Sequence, residues 1–257
     1  MDERADFAVS PVPAGQRTGF MGNLFVFSGW TVWAGGPLFA VFLLQGLPLW
    51  QALLATLLGG LVLFAVVTLL GKIATSKGVT TYLLANYSFG QSGMRFVGLI
   101  MFVAISGWFA VSTGWCGNLI AGALGISNWY VIPLLAFIYG IAAIMGYRAV
   151  TTVGYITMPI LIVLFPVLLI VVWINNPTGT TAVMSVNVPV IAGAAIAFPY
   201  AIGLMINNWI MGCASSPDLT RYTKSFKHVI ILAALTLIPL YTFINWMGTP
   251  YGVLTGN

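Results

Sequence analysis

Inside its apolar segments the chain keeps a set of polar side chains that carry no charge: Asn23, Ser28, Thr31, Ser106, Ser112, Thr113, Asn118, Asn207 and Asn208. They stand among Trp30, Trp33, Trp108, Phe109 and Trp209. An amide presents two donors and an acceptor at its edge, and an indole face stacks on any flat π-system. Together these groups suit a planar, neutral, hydrogen-bonding ligand. Taken singly, Ser and Thr in such segments mostly bond their own helix or a neighbouring one. Trp50 and Trp129 fit the ordinary role of interfacial anchors. Trp108 and Trp209 differ, because each lies well inside an apolar run beside a glycine or an amide.

The chemistry that is missing narrows the reading further. No Asp, Glu, Lys, Arg or His falls in the middle of an apolar segment. Ionisable groups at that depth mark ion and proton routes, so their absence favours a neutral ligand. The sequence holds no HExxH, acid pair, Ser-His-Asp set or metal cluster. No catalytic residue, organic cofactor or enzyme activity is expected. His228 lies in a basic connection and reads as a solvated or lipid-facing side chain. Cys116 and Cys213 both fall within apolar segments and read as small packing residues.

The segments that must position these groups are long. Of 257 residues, 60% are hydrophobic and only 5% charged, with a mean hydropathy of +1.02. Soluble domains are about a quarter charged, and disordered chains are far less apolar. The class is an all-α integral membrane protein. Stretches long enough to span about 30 Å of hydrocarbon lie at 20–46, 50–71, 96–124, 129–147, 151–174, 188–212 and 229–247, predicting seven helices. The first and third exceed one straight crossing, which predicts a tilt or a break. A β-barrel would need short segments of alternating polarity, and these continuous runs lack that pattern.

Charge sets the topology independently. All nine basic residues (Arg4, Arg17, Lys72, Lys77, Arg95, Arg148, Arg221, Lys224 and Lys227) fall in the N-terminal tail and alternate connections. The remaining connections, near 46–50, 125–129 and 175–188, carry no charge. The positive-inside rule makes the basic face and the N-terminus cytoplasmic, in a multi-pass protein of the cell membrane. The net charge of +5 is therefore a topology signal. It calls for no nucleic-acid partner, and attraction to anionic lipid is its by-product. The polar start MDERADFAVSPVPAGQR lacks the apolar core of a secretory signal.

Two segments carry helix-disfavouring residues beside their aromatic and polar groups. The first holds SGWTVWAGGP (28–37) and the sixth FPYAIGLMINNWIMG (198–212). In lipid a broken helix survives only where protein or a water-filled cavity covers it. Transporters built from inverted repeats place their substrate at paired interruptions of corresponding helices. With a five-helix repeat, the first and sixth segments are that pair. Downstream, SSPDLTRY reads as a turn opening a new helix, with Ser216 as N-cap, Pro217 at its first position and an Asp218–Arg221 pair.

Four stretches extend the picture: PVPAGQRTG (11–19), GVTTYLLANYSFG (78–90), GWFAV (107–111) and PDLTRY (217–222). In these motifs and their spacing the chain resembles the nucleobase–cation symporter family, in particular its cytosine-permease branch. The resemblance implies a LeuT-type inverted-repeat fold of about twelve helices, alternating access around a midplane site, and coupling to Na⁺ or H⁺. It implies substrate contacts from Trp108, Trp209, Asn207, Asn208, Trp33 and Ala34, and a cation held by the backbone carbonyls of Gly29 and Val32. It further implies that these seven helices are the N-terminal part of such a fold. The expected division is a tail at 1–19, a first five-helix repeat at 20–174 and two helices of a second repeat at 188–257.

The chain departs from the pattern at three places. Ile105 stands where the cytosine branch tends to carry glutamine, Ala34 with Gly35–Gly36 replaces a serine-rich step, and Asn86 sits where arginine is common. The expected function is a permease for a neutral nucleobase-like compound. A LeuT-type carrier of another small substrate such as an amino acid, or a truncated fragment without transport, stays open at this point. The charge pattern makes a direct prediction. Cysteines placed near residues 126 and 182 should react with an impermeant thiol reagent from outside the cell, and those at 75 and 225 should not. Equal labelling of all four contradicts the seven-span topology.

Overall fold

The computed structural model describes residues 7, 10–33, 35–177 and 195–247. Every regular element among them is helical. The first apolar segment folds as α1 (Phe20–Thr31) and α2 (Gly36–Gly46), bent by 46° at a short break. Pro37 restarts the chain in the first turn of α2, where a missing N–H costs nothing. α3 (Leu49–Lys77) begins after Pro48 and ends at Gly78, whose φ of 70° is the left-handed conformation of a helix stop.

α4 (Thr81–Leu124) begins earlier than hydropathy suggests. The Thr80 hydroxyl caps it, accepting from the Leu83 N–H at 3.0 Å. At Gly90 (φ 67°, ψ −175°) the backbone turns through a conformation that only glycine adopts freely, so a short helix joins the long one at a kink. GVTTYLLANYSFG thus encodes a stop, a cap and a kink in thirteen consecutive residues. α5 (Asn128–Ile144) and α6 (Gly146–Asn175) follow. α7 (Phe198–Thr220) and α8 (Phe226–Leu235) complete the named helices. α8 continues through a π-helical turn at Thr236–Leu240, around Pro239, as far as Met247.

Among the described residues four helices are long and apolar enough to cross a bilayer: Leu49–Lys77, Thr81–Leu124, Thr152–Asn175 and Phe226–Met247. The bent α1–α2 pair adds a fifth. α5 is apolar but only 17 residues long. α7 has 23 residues and carries the amides and an acid. The sixth predicted segment starts at 188, outside the described residues, and its helix is seen from Phe198.

Two expectations for this region are corrected. α7 runs unbroken past Gly203, Asn208 and Gly212, so the anticipated interruption between 198 and 212 is absent. Pro199 sits in its first turn, and isolated glycines weaken a helix without ending it. Ser216 and Pro217 do not open a new helix either, because α7 continues through them to Thr220. The Asp218 carboxylate instead meets the start of α4. Thr81 Oγ1 lies 2.8 Å from Asp218 Oδ2 and 3.1 Å from the Ala214 carbonyl, and the Thr81 N–H donates to Asp218 Oδ1 at 3.3 Å. Arg221 Nε also donates to the Asp218 backbone carbonyl at 3.1 Å.

The same end of the molecule gathers the N-terminal segment. Val12 N–H donates to the Gly78 carbonyl at 2.8 Å and Thr18 N–H to the Tyr222 carbonyl at 2.9 Å. Arg17 Nη1 reaches the Thr75 carbonyl at 2.6 Å, and the Thr75 and Thr223 hydroxyls lie 2.7 Å apart. Three of the basic segments named from sequence therefore meet on one face.

α3 is the central helix, packed on α7, α8 and the π-turn. In hydrocarbon no hydrophobic force drives helices together, so small residues that permit close approach decide the packing. A Cβ on Gly59 would lie 2.8 Å from Met205 Cβ, one on Gly60 2.3 Å from the Leu237 carbonyl oxygen, and one on Gly71 2.6 Å from a Val229 methyl. Leu63, Val67, Met205, Trp209 and Tyr241 form the core around them. α1 lies along α6, with Gly22 under the Tyr155 hydroxyl. Apolar side chains such as Phe102, Leu119 and Ile162 face outward from α4 and α6, a surface suited to hydrocarbon. Gly60→Val should therefore destabilise the protein by about 1–3 kcal/mol through overpacking, read as a lower melting temperature in detergent. Gly107→Ala, where a Cβ meets nothing within 4 Å, should show no such loss.

Candidate functional site

The site begins with the end of α1. Its last carbonyls lose the donors that a continuing helix would supply. Ser28 C=O receives the Val32 N–H at 2.9 Å. The Trp30 carbonyl receives the indole N–H of Trp209, from α7, at 3.2 Å. Trp209 is only 4% exposed. Its ring packs tilted on Phe27 (centroids 5.6 Å apart, planes at 42°) and edge-on to Trp30 (6.2 Å, 69°). Gly212, one turn on, leaves room for that ring, since a Cβ there would come within 2.6 Å of it.

A cavity of about 120 Å³ lies beside the break. Trp30 and Trp33 wall it from the first segment, Trp108 from α4 and Trp209 from α7, with Ile105, Met211 and Gly212 between them. Trp33 meets Trp108 edge to face (5.2 Å, 88°) and stacks on Trp115 (5.5 Å, 21°). The absence of a side chain at Gly35 permits this, because a Cβ would fall 2.2 Å from both Trp33 and Trp115. Among the described residues the lining contains no ionisable side chain, and its polar members are Ser112 and Asn208. Such a space favours flat, neutral molecules and gives direction through very few hydrogen bonds.

Asn208 is 5% exposed and belongs to a buried network. Its Nδ2 donates to Tyr241 Oη at 3.0 Å and to Asn245 Oδ1 at 3.2 Å. Tyr241 Oη donates to the Met205 carbonyl at 2.6 Å, and Asn245 Nδ2 to the Tyr241 carbonyl at 2.8 Å. Asn208 Oδ1 is buried with no hydrogen-bond partner among the described residues.

The structure thus brings together Trp33, Trp108, Asn208 and Trp209. Asn207 departs from expectation: it is exposed and does not line the cavity. Successive residues on a helix point about 100° apart; Asn208 and Trp209 share the buried side of α7, and Asn207, one step earlier, falls on its exposed side. Ala34 lies outside the described residues. Gly29 and Val32 turn toward α6 instead of the cavity. A Cβ on Gly29 would sit 3.8 Å from Met158 Sδ, and Val32 packs with Met158 and Ile244. Asn23 and Asn118 are engaged locally, with Thr18 and Asn128 respectively. Trp115 was not singled out from sequence, although a signal existed. Ile105, Trp108, Ser112 and Trp115 recur at three- and four-residue steps, which places them on one helix face.

Comparisons with known proteins show the family and the fold. The family described as "Permease for cytosine/purines, uracil, thiamine, allantoin" matches residues 11–256. The cytosine permease of Escherichia coli (strain K12) is 27% identical over 240 residues, covering 91% of this chain and 54% of the permease. That of Escherichia coli O157:H7 aligns to the same extent. This chain therefore spans about half the length of these relatives. Among solved structures, Mhp1, a nucleobase-cation-symport-1 family transporter in a closed conformation with bromovinylhydantoin bound, superposes with a TM-score of 0.83 at 16% identity. The match covers 97% of this chain and 58% of that one. The inward-facing conformation of Mhp1 gives 0.71 at 18% identity, over 96% and 56%. The fold is accordingly LeuT-type.

The Trp209 indole N–H makes a prediction independent of any ligand. Trp209→Phe keeps a ring against Phe27 but strips the Trp30 carbonyl of its donor, at about 1–3 kcal/mol. Trp209→Ala adds a cavity, for a total of about 3–5 kcal/mol. Melting temperatures in detergent should fall in that order, and a Phe variant as stable as wild type would remove the cap from the account.

Proposed function

The chain belongs to the family of permeases for cytosine/purines, uracil, thiamine and allantoin, and on that premise we propose that the cavity beside the α1–α2 break is the substrate site of a cation-coupled importer. Its cargo is a neutral, planar nucleobase or related heterocycle, such as cytosine. The observation that carries this reading is the wall of four tryptophans at a helix break, with no ionisable group in the lining among the described residues. Each indole face contributes about 1–3 kcal/mol when a base stacks on it, with little demand on which base it is. Relatives support the same class, since one is a cytosine permease and Mhp1 holds a hydantoin.

On this reading residues 20–174 form the first repeat and 188–257 open the second, around a site reached alternately from the two sides of the cell membrane. The protein is multi-pass with a cytoplasmic N-terminus. The coupling ion is Na⁺ or H⁺. The carbonyls of Gly29 and Val32, at the broken end of α1, are the groups that would serve Na⁺, as main-chain oxygens do at helix breaks. Beside them the α-carbon of Gly29 and the side chain of Val32 face Met158 of α6.

The test is uptake of radiolabelled cytosine, uracil, hydantoin and allantoin by cells expressing the complete coding sequence, with and without sodium. One heterocycle should accumulate, and Trp108→Ala should raise its apparent KM about tenfold to hundredfold, the loss of 1–3 kcal/mol of stacking. Unchanged uptake in Trp108→Ala would place the substrate elsewhere.

A further inference from the structure

We infer that Tyr241 and Asn245 are positioning residues that hold the Asn208 amide with its carbonyl free, so that the site selects a substrate bearing a hydrogen-bond donor. The inference rests on the substrate site proposed above and specifies what that site reads.

An asparagine amide has two N–H protons and one carbonyl oxygen. Both protons of Asn208 are spent, one on Tyr241 Oη and one on Asn245 Oδ1. The opposite orientation is closed. It would set the Asn208 oxygen against Tyr241 Oη, whose own proton is committed to the Met205 carbonyl at 2.6 Å. It would also set it against Asn245 Oδ1, an acceptor held in place because Asn245 Nδ2 bonds the Tyr241 carbonyl. Two oxygens would then face lone pairs at hydrogen-bond distance. The network therefore fixes which end of the amide is left over, and that end is a buried acceptor without a partner among the described residues.

Asn208 lines the tryptophan cavity. A buried acceptor that stays unpaired bears the cost of its lost hydration, and a donor that reaches it removes that cost. A ring N–H of a lactam or imide, or an exocyclic amine, supplies such a donor in the plane of a stacked heterocycle. A ring with an oxygen or an unprotonated nitrogen at that edge does not. Tyr241 and Asn245 need not touch the substrate to exert this choice, because they act through Asn208. The π-helical turn at Thr236–Leu240 ends immediately before Tyr241. Extra residues in a turn re-aim the side chains that follow, which is a recurrent use of π-bulges at functional sites.

The experiment compares each transported heterocycle with oxa-analogues in which one ring N–H at a time is replaced by oxygen, for example uracil and hydantoin against their oxa-counterparts. These are measured as competitors of uptake by the protein from its complete coding sequence. Wild type should prefer the N–H parent over at least one oxa-analogue by about tenfold to hundredfold. In Tyr241→Phe/Asn245→Leu the amide is released and can turn its NH₂ toward the cavity, and that ratio should fall to about threefold or less. A purely structural role for the pair would lower uptake of parent and analogue alike and leave the ratio unchanged, which overturns the inference. So does a wild type without preference among the analogues, while its uptake would leave the transport reading standing. If the double variant does not accumulate in the membrane, Tyr241→Phe and Asn245→Leu are measured singly, and an unchanged ratio in both is equally decisive against it. Uptake of no heterocycle by wild type would remove the transport reading and this inference together.

Discussion

A backbone carbonyl stripped of its helix partner cannot be left bare in hydrocarbon, and α1 ends in the middle of an apolar segment. Much of the molecule answers that requirement. The Trp30 carbonyl is satisfied by the indole N–H of Trp209, so α7 must be held close to the break. What holds it there is α3, whose Gly59 and Gly60 let α7 and the π-turn approach to backbone distance. At the far end of α7, Asp218 caps α4 and the residues after Thr220 pair with the N-terminal segment. The tryptophan that closes the break also walls the cavity, so the same packing that tolerates a broken helix forms a binding space beside it.

The end of α1 presents two unlike faces. Toward α4 and α7 it offers tryptophan rings, and toward α6 it offers Gly29, Val32 and the thioether of Met158. On the proposed reading the substrate takes the first face and the coupling cation the second. A shared helix end is then the physical link between them: whatever repositions its last turn alters both, and linkage requires the effect to be reciprocal. Stacking supplies affinity with little direction, which leaves direction to Ser112 and to the oriented amide of Asn208.

SSPDLTRY looks like a capped helix start because Ser, Pro and Asp favour that position, yet α7 passes through it, with Thr81 from α4 meeting the Asp218 carboxylate and the Ala214 carbonyl. The glycines of the sixth segment look like a break, yet Gly212 makes room for an indole and Gly203 lies in an intact helix. In both cases propensity states what a residue permits, and the neighbouring element decides whether the permission is used. The first-segment break was legible because Gly35, Gly36 and Pro37 coincide there.

Composition, hydropathy and charge by themselves determined the membrane class, the helical segments and the clustering of basic residues on alternate connections. These depend on sums over many residues and on the cost of polar groups in lipid. The motifs determined the family, and residue type limited the side chains of these segments to aromatic and uncharged polar groups. Only the tertiary structure decided which of two neighbouring amides faces the cavity, that Trp115 backs Trp33, and that both Asn208 protons are already taken. Those facts depend on contacts between residues 33 and 115, 30 and 209, and 208 and 245. Close approach between helices distant in sequence is fixed by glycine packing and by a kink or bulge of one residue. A hydropathy pattern reports which residues are apolar, and it carries no record of the angle at which two helices meet.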